Sequence, residues 1–140
     1  MTTLTVQAVL DRVRALAPAG AALALVFAGP ASARAGNRIH VAVSPHAKKH
    51  VTYNVAVSGF AGHKAKAYLF VDYNPCASSF SAERRNVSPS EEVPYTVQGP
   101  FNKVSGWQSP VSNVHYACVF LVNPKSGLLL AKGHVRYLVG

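Results

Sequence analysis

The chain has 140 residues, of which 49% are hydrophobic and only 14% are charged. A chain of this length has room for one domain, and its composition excludes an intrinsically disordered protein, which needs low hydrophobicity and high charge. The formal net charge is +9. This charge indicates a general attraction to polyanions such as nucleic acid, anionic lipid or acidic cell-wall polymers, without selecting one of them.

Residues 1–35 have the pattern of a bacterial signal peptide. An uncharged, alanine-rich run follows two arginines and ends at small residues that fit cleavage after Ala33 or Ala35. A transmembrane anchor is the alternative, but it needs about 20 strongly apolar residues, and prolines and glycines interrupt this run. We therefore expect a secreted, extracellular or cell-surface protein with no membrane span after cleavage. Removal of the leader takes away three basic residues and one acidic residue, which leaves a net charge of +7 on residues 36–140.

Export makes the two cysteines of the chain interpretable. In an oxidising compartment an even number of cysteines indicates a disulfide, and Cys76 with Cys118 is the one pairing available. Two free thiols or a pair of metal ligands are the alternative, and no C-x-x-C spacing supports it.

The first half of the mature chain alternates apolar and polar residues with the period of two that is typical of β-strands. Half-buried strands are predicted at residues 39–43 and 51–58, the second of them ending at Gly59. Residues 67–72 have apolar side chains on both faces, which is typical of a central strand. Residues 77–92 are polar and predict a loop with one short edge strand around Ser79–Ala82.

The second half predicts further strands and no helix. A short strand covers Tyr95 and Val97 and stops before Gly99, and a hairpin follows at residues 114–122 and 129–139. The alternation in this hairpin predicts that His115 and His134 are exposed. About seven strands with turn signals between them predict an all-β, two-sheet antiparallel sandwich.

A Y-x-C pattern, Tyr116-Ala117-Cys118, lies in the penultimate predicted strand. Immunoglobulin-like domains have a tyrosine two residues before the second cysteine, and its hydroxyl bonds to nearby backbone in a tyrosine corner. Over residues 37–140 the chain resembles small secreted bacterial immunoglobulin-like proteins. This resemblance implies an immunoglobulin-like domain at 36–140 with Tyr116 in a tyrosine corner.

Two features depart from the immunoglobulin pattern. The first cysteine follows the third predicted strand instead of lying in the second, and the only tryptophan, Trp107, is not in the third strand. The strand topology is therefore left open. Because this fold hosts many unrelated roles, the resemblance implies no activity.

No motif for a metal, a cofactor or catalysis is recognisable, and we expect neither an enzyme nor a cofactor. His46 and His50 have an H-x-x-x-H spacing, but no further ligands complete a zinc site. Glycosidase-type hydrolysis needs two facing carboxylates, and Asp72 with Glu83 is the pair that could approach each other. A cleft that unites these two acids with a histidine would favour a small secreted hydrolase. The acids that follow the leader are Asp72, Glu83, Glu91 and Glu92.

One group of basic and aromatic residues is the candidate ligand surface. Aromatic rings among basic residues can stack on sugars or nucleotides, and the alternative is that the rings pack in the interior. We expect a non-catalytic binding or structural module whose partner is an unknown protein or an envelope component, with no specific nucleic acid. The alternative function is the binding of a carbohydrate or an anionic cell-wall polymer. The surface consists of Lys64, Lys66, Tyr68, Arg84 and Arg85.

Overall fold

The structure is a computed structural model that describes residues 36–140, so the predicted leader and its cleavage sites lie outside the described residues. No helix in this range is long and apolar enough to cross a membrane. The elements in chain order are β1 (Arg38–Val43), β2 (Tyr53–Asp72), helix α1 (Phe80–Asn86), a short 3₁₀ helix (Pro89–Glu91), β3 (Glu92–Trp107), β4 (Asn113–Val122) and β5 (Leu129–Val139).

Strand β2 is the centre of the fold, and every pairing is antiparallel. Along one edge, β2 pairs with β1 through its first half and with β4 through its second half. Along the other edge it pairs with β3 over nearly its whole length. Strand β5 pairs with β4, as the predicted hairpin requires.

Strands β2 and β3 both bend, and the bend turns one sheet into two layers. The β2–β3 register shifts between Ala61 and Ala65, and Gly99 opposite this shift has a φ of 65°. This left-handed conformation is readily available to glycine. The first layer holds β1 with the first half of β2 and the second half of β3; the other halves form the second layer with β4 and β5.

The two layers face each other, since β1 packs against β4 and β5 without pairing to them. The predicted antiparallel immunoglobulin-like sandwich is thus confirmed, and its seven strand segments belong to five strands. Inward-facing residues of both layers form the main core. Its buried members are Val41, Ala47, Tyr53, Val55, Val57, Leu69, Val71, Ala117, Val119 and Val139.

Helix α1 corrects the prediction of a short edge strand around Ser79–Ala82. The hydroxyl of Ser79 caps the helix by accepting the backbone N–H of Ala82 at 3.2 Å. Arg84 and Arg85 lie in the last turn. A serine cap and basic residues near the C-terminal end both stabilise a helix, and this local chemistry outweighs the weak strand pattern.

The inner side of α1 covers the outer face of the second layer. Glu83 and Val87 are buried there, and the Phe80 ring centroid lies 6.1 Å from that of Phe70 and 5.9 Å from that of Phe120. These residues recur every three or four positions, which puts them on one face of the helix. They enclose a second core, whose buried members are Phe70, Val87, Cys118, Phe120 and Val122.

The predicted disulfide between Cys76 and Cys118 is present, with the two Cα atoms 5.6 Å apart. Cys118 belongs to β4 and is fully buried, and Cys76 belongs to the loop between β2 and α1. The bond therefore ties this loop to the second layer beside the second core.

The prediction for His115 was wrong, because this side chain is only 3% exposed. Its strand β4 has the main core on one face and the second core on the other, so alternation does not bring a side chain to solvent. His134 in β5 is exposed as predicted.

Candidate functional site

The basic and aromatic surface predicted from the sequence divides into two parts in the structure. Lys64 and Lys66 follow the bend of β2 and line a cleft of about 390 Å³ together with Lys125 from the β4–β5 turn. Lys125 was not part of the predicted surface. Its position became visible only with the fold, since some 60 residues of chain separate it from Lys64. We call these three residues the lysine cleft.

The second part surrounds Arg84 and is already engaged within the protein. The guanidinium of Arg84 lies 5.3 Å from the ring centroid of Tyr68 and 5.4 Å from that of Phe80. It also donates two hydrogen bonds to the Glu92 carboxylate, at 3.2 and 3.0 Å. Tyr68 is half-buried, and Arg85 is exposed. Tyr68 and Arg84 therefore fasten α1 to the sheet.

Tyr116 lies on the outer face of β4, next to the disulfide. It lines a cleft of about 300 Å³ with the loop around Cys76 and with Lys132 and His134 of β5. The hydroxyl of Tyr116 makes no hydrogen bond to the residues described, so the backbone contact of a tyrosine corner is not among its interactions.

A further cleft, of about 260 Å³, lies at the end of the sandwich where β2 and β3 finish and β4 begins. We call it the end cleft. It combines aromatic rings with acidic, amide, hydroxyl and imidazole groups. Its lining is Tyr53, Val71, Asp72, Tyr73, Glu91, Trp107, Gln108, Ser109, Pro110 and His115.

His115 holds one wall of the end cleft through both ring nitrogens. Nδ1 lies 2.9 Å from the carbonyl oxygen of Asn113, and Nε2 lies 3.0 Å from Oγ of Ser109. Because a carbonyl only accepts, Nδ1 donates to the carbonyl oxygen of Asn113. The Ser109 hydroxyl also donates to the carbonyl oxygen of Val111 at 2.9 Å. Ser109 Oγ in turn accepts the N–H of Val111 at 3.2 Å. These bonds fix the β3–β4 connection.

Aromatic rings continue this wall into the main core. The His115 ring centroid is 4.6 Å from that of Tyr73 and 5.6 Å from that of Tyr137. The hydroxyls of Tyr53 and Tyr137 lie 2.9 Å apart, and burial raises the pKa of both phenols. Both phenols are therefore un-ionised around physiological pH.

The residues of the predicted hydrolase pair have different environments. Asp72 lines the end cleft and accepts hydrogen bonds from the N–H of Tyr73 at 2.6 Å and from the Asn74 side chain at 3.0 Å. Glu83 lies under α1, is 2% exposed and accepts the N–H of Ala77. Glu83 does not line the end cleft, so a union of both acids with His115 in one cleft is not formed.

Burial raises the pKa of Glu83, and the nearby charge of Asp72 raises it further against the opposing effect of the Ala77 N–H. A raised pKa means that the folded state holds this proton at pH values where the unfolded chain has lost it. The contribution of this proton to the free energy of unfolding is fully present below the unfolded pKa of about 4.3. It is lost as the pH rises through the pKa of Glu83 in the folded state.

Glu83→Gln is therefore expected to gain stability relative to the wild type as the pH rises from 4 to 7, because glutamine cannot ionise. Urea unfolding of both proteins at several pH values measures the difference. Glu83→Ala is the control: it leaves the N–H of Ala77 without an acceptor and is expected to be less stable than Glu83→Gln at each pH. If the free energy of unfolding changed with pH in the same way for the wild type and Glu83→Gln, a raised pKa of Glu83 would be contradicted.

The two histidines with H-x-x-x-H spacing lie in the loop between β1 and β2. His46 and His50 both have positive φ values, 62° and 60°. No group of three or more His, Cys, Asp or Glu side chains within residues 36–140 is arranged to hold a metal ion.

The architecture thus defines the class of the protein as an antiparallel immunoglobulin-like β-sandwich. No protein-family model matches the chain, and no curated protein matches it. Among solved structures, it is similar to the CARDB domain of a Pyrococcus furiosus protein in complex with di-metal ions. That similarity has a TM-score of 0.45 and 7% sequence identity, and it covers 74% of this chain and 87% of the other. A likeness this weak supports no conclusion about the present chain, and the metal ions belong to the other protein.

Proposed function

We propose that the chain is a secreted or cell-surface module that binds a protein or an envelope component and is not an enzyme. One observation supports this: all four carboxylates of the described residues already hold the fold together. A general acid or base must reach a substrate proton, and Glu83 is buried under α1. Asp72 and Glu91 line the end cleft, but each also accepts a backbone N–H. Three accept backbone amides and one pairs with arginine: Asp72, Glu83 and Glu91, and Glu92 with Arg84.

Export is tested by expressing the full chain in a bacterial host and measuring the intact mass of the exported protein. Cleavage after Ala33 or Ala35 is expected to leave a chain that begins at Arg34 or Gly36. Its mass is expected to be about 2 Da below that of the reduced chain, because forming one disulfide removes two hydrogens. Natively purified protein that retains the leader and has both thiols reduced would contradict the proposal.

The lysine cleft favours a second candidate function, the binding of an anionic cell-wall polymer. Three ammonium groups line it, and the rest of the lining adds no negative charge: Ala65, Thr96 and Pro124. Clustered cations gain more from one polyanion than the same cations scattered, since each ionic contact releases counterions.

Retention on purified cell-wall material and on heparin, measured across NaCl concentrations, separates the two candidates. Retention that persists at high salt favours a protein or neutral envelope component. Retention that salt abolishes favours the anionic polymer. A wild-type protein that neither material retains at low salt would contradict the anionic polymer and a cell-wall component, and would leave a protein as the ligand of the first candidate.

A triple alanine variant of the lysine cleft tests whether this cleft carries the second candidate function. Each lost ionic contact is expected to reduce the slope of log affinity against log salt by roughly 0.7–0.9, so the variant should lose about two units of slope. A matched variant carries the same charge change at Lys48, Lys49 and Lys103. Equal slopes for the two triple variants would contradict a role for the cleft. The cleft variant replaces Lys64, Lys66 and Lys125.

A further inference from the structure

The cleft beside the disulfide lies between the outer face of β5 and the loop that carries Cys76, and we call it the disulfide cleft. Its volume is about 300 Å³. Small-molecule sites are typically concave and mostly apolar, with a few polar groups that converge on the ligand. The disulfide cleft has this composition, since its polar side chains are few and its apolar lining includes Pro75, Cys76, Ala77 and Phe120.

Lys132 spans the disulfide cleft from β5 to the opposite wall. Its Nζ donates to the carbonyl oxygen of Ser78 at 3.3 Å, and Ser78 itself lines the cleft. This contact places the ammonium group between the strand and the loop. Within residues 36–140 no carboxylate pairs with it. Because an ammonium group has three hydrogens to donate, Lys132 can bind a further acceptor inside the cleft.

The neighbours of Lys132 on the same face are also donors or cations. Tyr116 and His134 line the disulfide cleft, Tyr116 half-buried and His134 exposed. Arg136 is exposed and lies directly opposite Tyr116 in the β4–β5 register. Alternate residues of a strand share a face and are about 7 Å apart. The outer face of β5 therefore presents Lys132, His134 and Arg136 in one row.

No carboxylate lines the disulfide cleft, and the two acids closest to it in the fold have other partners. Asp72 lies opposite Tyr116 in the β2–β4 register, but it lines the end cleft and both its oxygens accept hydrogen bonds from the adjacent loop. Glu83 is buried under α1 and accepts the N–H of Ala77. The charge that a ligand meets in the disulfide cleft is therefore positive, which favours an anion.

The apolar part of the disulfide cleft then selects among anions. A small inorganic oxyanion satisfies the ammonium group of Lys132 and leaves the surface of Pro75 and the Tyr116 ring in water. A sugar ring has an apolar face that packs against an aromatic ring, and an acid group on the same sugar reaches the ammonium. The volume of about 300 Å³ is at the lower end of the range for ligand sites. It suits one sugar unit of a chain.

We propose that the disulfide cleft binds one acidic sugar unit of an anionic polysaccharide, with the acid group on Lys132 and the sugar ring against Tyr116. His134 and Arg136 continue the positive face for the next acidic unit of the chain. This inference deepens the second candidate function, the binding of an anionic cell-wall polymer, and rests on it. It assigns a surface separate from the lysine cleft and restricts the polymer to one that contains acidic sugars.

Isothermal titration calorimetry at low salt tests the inference with short ligands. The protein carries the triple alanine substitution of the lysine cleft, so that binding there is removed. Trigalacturonate presents carboxylates and a heparin tetrasaccharide presents sulfates; maltotriose is the uncharged control and tripolyphosphate the control without a sugar. Saturable binding is expected for at least one acidic oligosaccharide, with no binding of maltotriose and weaker binding of tripolyphosphate. Amide chemical shifts are expected to change at residues 75–78 and 132–136.

Two exposed lysines give a matched pair of variants. Lys132→Gln is expected to weaken binding of the acidic oligosaccharide roughly tenfold or more, since it removes a charged hydrogen-bond donor. Lys103→Gln has the same charge change on β3, outside the cleft, and is expected to leave the affinity within about twofold. Tyr116→Ala removes the ring and is expected to abolish saturation, whereas Tyr116→Phe keeps the ring and is expected to retain saturable binding.

The outcomes are distinct. Equal losses for Lys132→Gln and Lys103→Gln would overturn the assignment to the disulfide cleft. Maltotriose that binds as well as trigalacturonate would overturn the role of the acid group, and tripolyphosphate that binds more tightly than both acidic oligosaccharides would overturn the choice of a sugar. If neither acidic oligosaccharide binds, the inference fails. The second candidate function survives that result when cell-wall material still retains the wild type in a salt-dependent way, and it fails too when retention is absent.

Discussion

The double variant Cys76→Ala/Cys118→Ala is expected to lose about 4 kcal/mol of unfolding free energy, because the disulfide closes a loop of 42 residues and the unfolded chain gains that loop entropy when it is removed. For a domain of this size such a loss lowers Tm by roughly 15–30 °C. It is also a large fraction of the roughly 5–15 kcal/mol that stabilises most domains. The oxidised protein should therefore be folded under conditions where the variant is largely unfolded.

Urea unfolding of the wild type with and without dithiothreitol, beside the double variant, separates the bond from the side chains. Reduction is expected to bring the wild type close to the variant, and the variant should not respond to the reductant. A loss below about 1 kcal/mol on reduction would contradict this loop-entropy estimate. The disulfide would then no longer support the proposal of export, because the chain could fold equally well with reduced thiols in the cytosol.

The sandwich could be predicted from the sequence because its signal is local. Alternation along 51–58, 67–72 and 114–122 is a property of each segment alone, and it identified the strands that supply the main core. The sequence could not tell that the first two segments are one strand. A glycine such as Gly59 or Gly99 permits a turn or a bend equally, and the choice depends on a partner strand far along the chain.

The helix was missed for a different physical reason. An amphipathic helix is recognised by apolar residues at spacings of three and four, and in α1 the middle inward position is Glu83 between Phe80 and Val87. A buried carboxylate at that position breaks the pattern, although it is compatible with the fold once the N–H of Ala77 binds it. The local signals that favoured a helix were Ser79 as N-cap and the basic residues Arg84 and Arg85 in the last turn.

The end cleft was beyond prediction because its residues are distant in sequence. These residues lie at or next to the ends of different elements: Asp72 and Tyr73 at the end of β2, Glu91 at the end of the 3₁₀ helix, Trp107 at the end of β3 and His115 near the start of β4. Each of them has an ordinary local explanation as a turn or strand residue. Only the meeting of strand ends at one end of the sandwich combines them into a cleft.

The second core gives the other large expected effect. Phe70 is fully buried, with its ring centroid 5.9 Å from that of Phe120 and 6.1 Å from that of Phe80. Phe70→Ala is therefore expected to cost about 3–5 kcal/mol, as for other buried phenylalanines whose removal leaves a cavity. Urea unfolding followed by circular dichroism measures this loss.

Tyr68→Ala is the matched comparison, because Tyr68 lies two residues away on the same face of β2 but is only half-buried. Tyr68→Ala is expected to lower the free energy of unfolding by about 1–2 kcal/mol, in the range of ordinary single substitutions. If α1 did not cover this face, Phe70 would be solvent-exposed and the two variants would cost the same small amount. A clear excess for Phe70→Ala therefore tests the helix that the sequence did not reveal, and with it the setting that buries Glu83 and Cys118.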